Sequence, residues 1–156
     1  MKVCAIDPGT TQSAIVIWDG ETILAKGIRS NEEIRLLLQD YRTDIAGPTH
    51  YAIEMVQSFG MPVGKSIFET VFWIGRFWEV ISNQDKTKIY RKEIKLHHCG
   101  TNRAKDTNIR HALMDKYGEP GVKANQGLTY GIKKDMWSAF AIATFITETN
   151  HQQWTR

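Results

Sequence analysis

The first 26 residues constrain the fold most, because they hold three strand-like segments separated by strong turn signals. Residues 2–7 are almost continuously apolar, as in a central strand buried on both faces, and residues 12–18 are rich in β-branched side chains. Pro8-Gly9 provides the first turn, and Asp19-Gly20, a strong hairpin signal, precedes a third strand at 22–26. The chain is therefore predicted to begin with three consecutive strands.

The rest of the sequence alternates helical and strand patterns. Ser30 and Glu33 have the spacing of a capping box at the start of a helix. Further elements follow in chain order: a strand at 49–54, a helix at 65–81, a strand near 87–90, a basic amphipathic helix at 104–117, a glycine-rich loop at 118–131 and a well-buried helix at 134–148. This order predicts one α/β domain over residues 1–156, with a five-stranded mixed sheet flanked by helices on both faces.

Composition excludes several other classes of protein. The 156 residues are 42% hydrophobic and 24% charged, which is ordinary for a globular domain. The apolar runs fall far short of the roughly 20 residues that a membrane span needs, and Asp7-Pro8-Gly9 comes too early for a signal peptide. Two cysteines, Cys4 and Cys99, cannot form a disulfide framework. We expect a cytoplasmic protein without a membrane partner.

Charge is distributed unevenly along the chain. Residues 76–134 hold 13 lysines and arginines against 6 acidic residues, and the remainder holds 7 against 11. A basic half beside an acidic half suits a protein that presents cations to phosphate and keeps carboxylates for chemistry. Because many solvated faces have a similar composition, charge alone leaves nucleic-acid binding open.

Three acids occupy positions that suggest a metal site. Asp7 ends the first predicted strand, Glu54 ends the fourth, and Asp135 lies in the first turn of the last predicted helix. Acids at the ends of neighbouring strands converge on one edge of a sheet, where they repel one another unless a cation separates them. Oxygen ligands favour Mg²⁺ or Mn²⁺, and two such ions about 4 Å apart would suit phosphodiester hydrolysis. Taken singly, Asp7 as turn chemistry and Asp135 as a helix cap remain the simpler interpretations.

The order of these motifs resembles a known family. Asp7-Pro8-Gly9-Thr10-Thr11, the following hairpin, Ala52-Ile53-Glu54 and the closing helix resemble the RuvC-type Holliday junction resolvases of the RNase H-like superfamily. The stretches 60–65 (GMPVGK) and 99–106 (CGTNRAKD) are similar to the bacteriophage branch. The resemblance spans about residues 2–146. It implies an RNase H-like fold and, for a phage-encoded protein, the host cytoplasm.

The resemblance also implies an activity in DNA recombination and repair. It indicates a homodimeric, Mg²⁺-dependent endonuclease (Mn²⁺ may substitute), with two ions per active site, that nicks four-way junctions and other branched DNA symmetrically. In-line attack by water would leave a 5′-phosphate and a 3′-hydroxyl, without a nucleotide cofactor. Asp7, Glu54 and Asp135 match the metal-binding carboxylates of the family. Ser138 stands where cellular members carry a further aspartate, so three carboxylates are expected rather than four.

Several basic and apolar residues are candidates for contact with DNA. Lys133 and Lys134 flank the predicted site, and Lys134 is assigned a catalytic role at the scissile phosphate, with a solvated basic helix start as the alternative for both. Phe59 is the candidate that enters the junction and stacks on a base, with a core position as the alternative. Further phosphate contacts are expected from Lys65, Arg103, Lys105 and Arg110. An ordinary solvated polar face remains the alternative for the basic helix.

The sequence also offers features of other functions. His97-His98-Cys99 with His111 matches no usual zinc spacing. The Asp7 turn also resembles the phosphate-binding element of actin-like ATPases, which need two domains and more chain than is present. Two closer alternatives stay open: a YqgF-like RNA-processing nuclease of the same fold, and a non-catalytic protein that binds branched DNA.

Overall fold

A mixed sheet of five strands forms the centre of the molecule in the computed structural model, which describes residues 1–81 and 84–154. The elements are, in chain order, β1 (Val3–Asp7), β2 (Gln12–Trp18), β3 (Ile23–Ser30), α1 (Asn31–Tyr41), β4 (His50–Met55), α2 (Lys65–Val80), β5 (Lys86–Tyr90), α3 (Arg91–Cys99), α4 (Asp106–Tyr117), β6 (Gly121–Val122), β7 (Asn125–Gln126) and α5 (Met136–Trp154). The strand order is β3-β2-β1-β4-β5. β2 pairs antiparallel with β1 and β3, whereas β4 pairs parallel with β1 and β5. The predicted fold class is confirmed.

Side chains alternate along the central strands and divide the core into two layers. Cys4 and Ile6 belong to the layer under α1 and α2. Val3 and Ala5 belong to the opposite layer, under α3, α4 and α5. All four side chains are fully buried, which explains the continuous apolar pattern of β1. Helices therefore cover both faces of the sheet, as the sequence predicted.

A buried polar network fixes the turn that follows β1. The Gly9 N–H donates to the Ser13 hydroxyl, Ser13 donates to the Asn31 side chain, and the Asn31 amide donates to the Gly9 carbonyl, over 3.0, 2.6 and 3.0 Å. A Cβ atom at Gly9 would lie 2.3 Å from the Gln12 carbonyl oxygen, so only glycine fits this close approach. The network thereby holds the carboxyl end of β1 in a fixed orientation.

α5 packs directly on the sheet through aromatic side chains. The indole N–H of Trp18 donates to the Thr147 hydroxyl over 3.2 Å, and the Trp18 ring makes edge contacts with Phe140 and Tyr117.

Within the described ranges, no helix is both long enough and apolar enough to cross a membrane.

The structure corrects several predicted boundaries. β3 continues to Ser30 along β2, and the capping box of Ser30 and Glu33 then starts α1 as predicted. α4 begins at Asp106 rather than 104, α5 runs from 136 to 154 rather than from 134 to 148, and the predicted loop at 118–131 contains the hairpin β6–β7. α3 was not predicted. It is short and mostly polar, Ile94 is its only buried residue, and it ends at left-handed Gly100.

Candidate active site

Asp7 and Glu54 lie side by side at the carboxyl edge of the sheet. Ile6 pairs with Ile53 in the parallel ladder, so the residue that follows each of them ends its strand at the same level. By strand alternation, Asp7 and Glu54 share the face of Ala5 and Ala52, which belong to the layer under α5. Both acids line one small cavity of about 60 Å³. This convergence is the one expected for acids at the ends of adjacent strands.

Asp135 approaches the same place from the start of α5. Its carbonyl accepts a hydrogen bond from the Ala139 N–H over 3.1 Å, so Asp135 immediately precedes the helix and does not lie in its first turn, as predicted. Lys134 has a φ of 48°, the one left-handed non-glycine residue among those described. Such a conformation costs on the order of 1–3 kcal/mol and occurs often at functional sites. Asp135 and Ser138 line a cavity of about 220 Å³ together with Lys134.

The three acids are here called the carboxylate cluster (Asp7, Glu54 and Asp135), and the charges of Glu54 and of the exposed Asp135 both act on Asp7. Burial, the Glu54 charge and the Asp135 charge raise the pKa of Asp7 to about 7, against the lowering effect of Arg91 and the Ser138 hydroxyl. Burial also raises the pKa of Glu54, although Arg91 lowers it. A carboxyl group whose ionised form is this unfavourable at neutral pH has a strong affinity for added positive charge.

Arg91 and Asp106 are neighbours of the cluster that sequence reasoning missed. Arg91 Nη1 lies 3.2 Å from Glu54 Oε2, and Nη2 donates to Asp106 Oδ1. Burial opposes the charge of Arg91, but Glu54 and Asp106 together raise its pKa. Glu54 is 37 residues and Asp106 15 residues away in the chain. No local sequence pattern reports contacts at those separations.

The donor set of the cluster fits a hard divalent cation. Carboxylate oxygens are the ligands that Mg²⁺ and Mn²⁺ prefer, and Ser138 adds a hydroxyl beside Asp7. The cluster is more open than a site closed around a single ion. Among the described residues, the one group of His, Cys, Asp or Glu whose ligand atoms all lie within 4.8 Å of one another is His97, His98 and Glu148. A wider spacing of carboxylates is compatible with two ions about 4 Å apart.

The group around Glu148, here called the Glu148 cluster (Glu148, His97, Lys116 and Tyr117), is closed by its own hydrogen bonds. Glu148 Oε2 lies 2.6 Å from His97 Nε2 and 2.8 Å from Lys116 Nζ, and Oε1 accepts from the Tyr117 hydroxyl. His98 Nε2 faces the Ala141 carbonyl at 2.9 Å. Although burial acts to raise the pKa of Glu148, these three hydrogen bonds lower it to about 2. The cluster ties α5 to α3 and α4, and the Glu148 carboxylate already has an ammonium partner in Lys116.

The candidate DNA-contacting residues are at the surface. Phe59 is 77% exposed, so the core alternative for it is wrong. Lys65 is exposed and lies 3.5 Å from Glu69, and the Arg110 guanidinium stacks 5.0 Å from the centre of the Trp137 ring. The remaining exposed candidates are Arg103, Lys105, Lys133 and Lys134. Arg110 and Lys134 line the same cavity as Asp135, which brings basic groups of α4 next to the acid before α5.

Comparison with known proteins finds similarity at the level of structure. No protein-family model and no curated protein matches the sequence. The fold is similar to Thermus thermophilus RuvC, with 13% identity, a TM-score of 0.73, and coverage of 98% of this chain and 97% of that chain. It is also similar to T. thermophilus RuvC in complex with a Holliday junction substrate (14% identity, TM-score 0.75, coverage of 98% and 96%).

A third similarity is to the fowlpox virus resolvase in complex with substrate Holliday junction DNA. This match has 18% identity, a TM-score of 0.54, and coverage of 94% of this chain and 99% of that chain. Together these matches define the class of the fold, which is RNase H-like. Within that class the chain has a RuvC-like fold. At identities this low, the similarity concerns the fold, and function has to be argued from the site.

Proposed function

We propose that this chain is a divalent-metal-dependent endonuclease that resolves four-way DNA junctions by paired symmetric nicks. The carboxylate cluster is the observation that carries the proposal. Asp7 and Glu54 end neighbouring strands on one sheet face, the charge of the exposed Asp135 before α5 acts on Asp7, and the pKa of Asp7 is raised to about 7. A RuvC-like fold supports the same assignment, because structures of this fold have been determined with Holliday junction DNA.

Each residue of the cluster has a defined part in the proposed reaction. Asp7, Glu54 and Asp135 would hold two Mg²⁺ or Mn²⁺ ions per active site. The Ser138 hydroxyl would orient Asp7. When bound, the metal would supply Lewis acidity at the phosphate and would lower the pKa of the attacking water. Lys134 would neutralise charge that develops on the phosphate in the transition state. The expected products are a 5′-phosphate and a 3′-hydroxyl.

DNA binding is assigned to the exposed basic residues around the cluster. Arg103, Lys105, Arg110 and Lys133 would contact phosphates, which positions the duplex without reading its sequence. Phe59, exposed beside left-handed Gly60, would stack on an unpaired base at the branch point. Junction affinity should fall by about three orders of magnitude between 50 and 200 mM salt if some six phosphates are neutralised. A flat salt titration would exclude phosphate contacts as the main source of affinity.

A two-fold dimer belongs to the proposal, because opposed strands need two active sites and each chain has one carboxylate cluster. A second copy would cover the apolar side chains exposed on α2, namely Phe68, Val71 and Phe72. Sedimentation of the wild type and of Phe72→Glu tests this part. A monomeric wild type would remove the dimer from the proposal, and a dimeric Phe72→Glu would place the interface elsewhere.

Cleavage of defined DNA substrates tests the activity. End-labelled four-way junction, splayed fork and linear duplex are incubated with Mg²⁺, with Mn²⁺ or with EDTA. We expect paired nicks at opposed positions of the junction that disappear in EDTA. Nicking of forks as well would broaden the substrate class to branched DNA in general, including the debranching of phage genomes. Tight junction binding without cleavage in either metal would favour a non-catalytic binding protein, and cleavage of RNA alone would favour the YqgF-like alternative.

A further inference from the structure

Arg91 is placed between the carboxylate cluster and a separate acid. β5 runs parallel to β4 and pairs Ile89 with Glu54, so Arg91 leaves the sheet beside Glu54 and begins α3. Its guanidinium contacts Glu54 through Nη1 and Asp106 through Nη2. The Arg91 side chain is 26% exposed and that of Glu54 is 18% exposed, whereas that of Asp106 is 74% exposed. The bridge therefore joins a half-buried acid of the cluster to an acid at the surface.

Arg91 is also the internal counter-charge of the cluster. In the parts of the chain that the structure describes, no other lysine, arginine or histidine forms an ion pair with Asp7, Glu54 or Asp135. Lys134 lines the cavity next to Asp135 but is exposed to solvent. Arg91 thus offsets Glu54 through an ion pair and Asp7 through its charge, and the charge of Lys95 makes a smaller contribution at Glu54.

Arg91 contacts Oε2 of Glu54, so a divalent cation on either oxygen of that carboxylate would lie within a few ångströms of the guanidinium. A guanidinium and a metal ion within a few ångströms of each other repel, so the two cannot share Glu54 without a loss of affinity. We propose that Arg91 competes with the divalent cation for Glu54, and that Asp106 is the second partner that retains Arg91 when the metal binds. This inference rests on the metal dependence in the proposed function and adds an internal regulator of metal affinity.

Asp106 makes such an exchange feasible. A half-buried guanidinium that lost Glu54 without another partner would remain as an uncompensated charge, which is strongly unfavourable. The planar fork of arginine can hold two carboxylates at once and can keep one after releasing the other. The α4 residue Asp106 is therefore a positioning residue that acts through Arg91. It does not touch Asp7, Glu54 or Asp135 through any hydrogen bond or ion pair of the described residues. Its charge also raises the pKa of Glu54 directly, an effect smaller than that of Arg91.

Mn²⁺ binding to the DNA-free protein tests the proposal without an activity measurement. The dissociation constant is measured by electron paramagnetic resonance for the wild type, Arg91→Gln, Arg91→Lys, Asp106→Asn and the Arg91→Gln/Asp106→Asn double variant. Removal of the competing charge in Arg91→Gln should tighten Mn²⁺ binding by about tenfold. Arg91→Lys keeps the charge and should stay within about threefold of the wild type. Lys92→Gln removes a neighbouring exposed charge and serves as the matched control, with a change below about twofold.

The double variant separates the two roles of Asp106. Asp106→Asn should weaken Mn²⁺ binding by about tenfold in the wild type, because Arg91 then has no partner other than Glu54. In the Arg91→Gln background the same change should have an effect below about twofold, which is the signature of action through Arg91. Equal weakening in both backgrounds would overturn the positioning role. Unchanged or weaker binding in a folded Arg91→Gln variant, checked by circular dichroism and supported by a wild-type-like Arg91→Lys, would overturn the competition.

Failure of this inference can be told apart from failure of the proposed function. If Glu54→Gln and Asp7→Asn leave Mn²⁺ binding unchanged, the cluster is not the metal site and the proposed function loses its basis. If those two variants abolish binding while Arg91→Gln does not tighten it, the metal site stands and the Arg91 competition alone is wrong.

Discussion

The Glu148 cluster and the carboxylate cluster both contain half-buried acids, namely Glu148 in the first and Asp7 and Glu54 in the second, but the pKa shifts of these clusters are opposite. In the Glu148 cluster, one carboxylate receives hydrogen bonds from His97, Lys116 and Tyr117, and its pKa falls to about 2. In the carboxylate cluster, three acids share a single arginine, and the pKa of Asp7 rises to about 7. Burial of a carboxylate costs free energy in both clusters. Hydrogen bonds from the chain outweigh this cost at Glu148 but not at Asp7.

The difference indicates which cluster serves stability and which serves chemistry. A carboxylate satisfied by neighbouring donors gains nothing from an added cation, because its oxygens are already occupied. Acids held together with too little positive charge are pre-organised for a cation from solution, at the expense of the stability of the metal-free fold. The left-handed backbone of Lys134, next to Asp135, adds strain to the carboxylate cluster as well.

The largest expected effect concerns the carboxylate cluster and DNA cleavage. Asp7→Asn, Glu54→Gln and Asp135→Asn should each reduce junction cleavage by more than about 100-fold. Mutating a residue that only supports a metal ligand already lowers activity by about 10–100-fold, and these three residues would be the ligands themselves. Junction affinity in EDTA should stay within about threefold of the wild type, since these acids do not contact phosphate directly.

The exposed Asp115→Asn on α4 is the matched control and should cleave at the wild-type rate. Full activity of Asp135→Asn would remove that residue from the site. Loss of cleavage in Glu148→Gln, measured at a temperature where that variant is folded, would break the division of roles between the two clusters.

The next effect concerns the Glu148 cluster and stability. Glu148→Gln removes a carboxylate whose side chain is 18% exposed and should lower the free energy of unfolding at pH 7 by about 2–3 kcal/mol. Since the folded pKa lies below the ordinary value of 4.5, the stabilisation is present above about pH 4.5 and is lost as the pH falls towards 2. Urea unfolding at pH 7 and pH 3 should therefore show a large difference from the wild type that shrinks on acidification.

Glu119→Gln changes an exposed loop acid and should alter stability by less than about 0.5 kcal/mol. An undiminished effect of Glu148→Gln at pH 2.5 would show that side-chain packing, rather than ionisation, accounts for the role of Glu148.

Burial explains which parts of the fold were predictable from sequence. β1 and β4 are buried on both faces, so their apolar runs were visible and their terminal acids, Asp7 and Glu54, could be assigned to one edge. β3 is an edge strand with mostly exposed residues, and α3 buries only Ile94, so neither gave a full hydrophobic pattern.

Distance along the chain explains which parts of the two clusters were missed. The Arg91 bridge and the Glu148 cluster both depend on hydrogen bonds between side chains that are 15–51 positions apart in the sequence. Sequence patterns report one element at a time, and such contacts exist only once α3, α4 and α5 have packed. The His97-His98 pair drew attention to a metal, whereas its acidic partner Glu148 lies 51 residues from His97 and carries no motif.

The smallest expected effect is the sharpest test of the comparison, because its sign is opposite to that of Glu148→Gln. Asp7 has a folded pKa of about 7 against an ordinary value of 3.8, so its protonated form favours folding fully below about pH 3.8, and that contribution is lost progressively as the pH rises from there through about 7. Asp7→Asn should therefore leave the Tm unchanged near pH 3 and raise it by roughly 2–6 °C at pH 8.5 in EDTA. Added Mg²⁺ should raise the Tm of the wild type but not that of Asp7→Asn, so that the difference in Tm between the two proteins at pH 8.5 becomes smaller. A lower Tm for Asp7→Asn at pH 8.5 would mean that groups of the chain stabilise ionised Asp7, as they do Glu148. The proposed division between a stabilising and a reactive site would then fail.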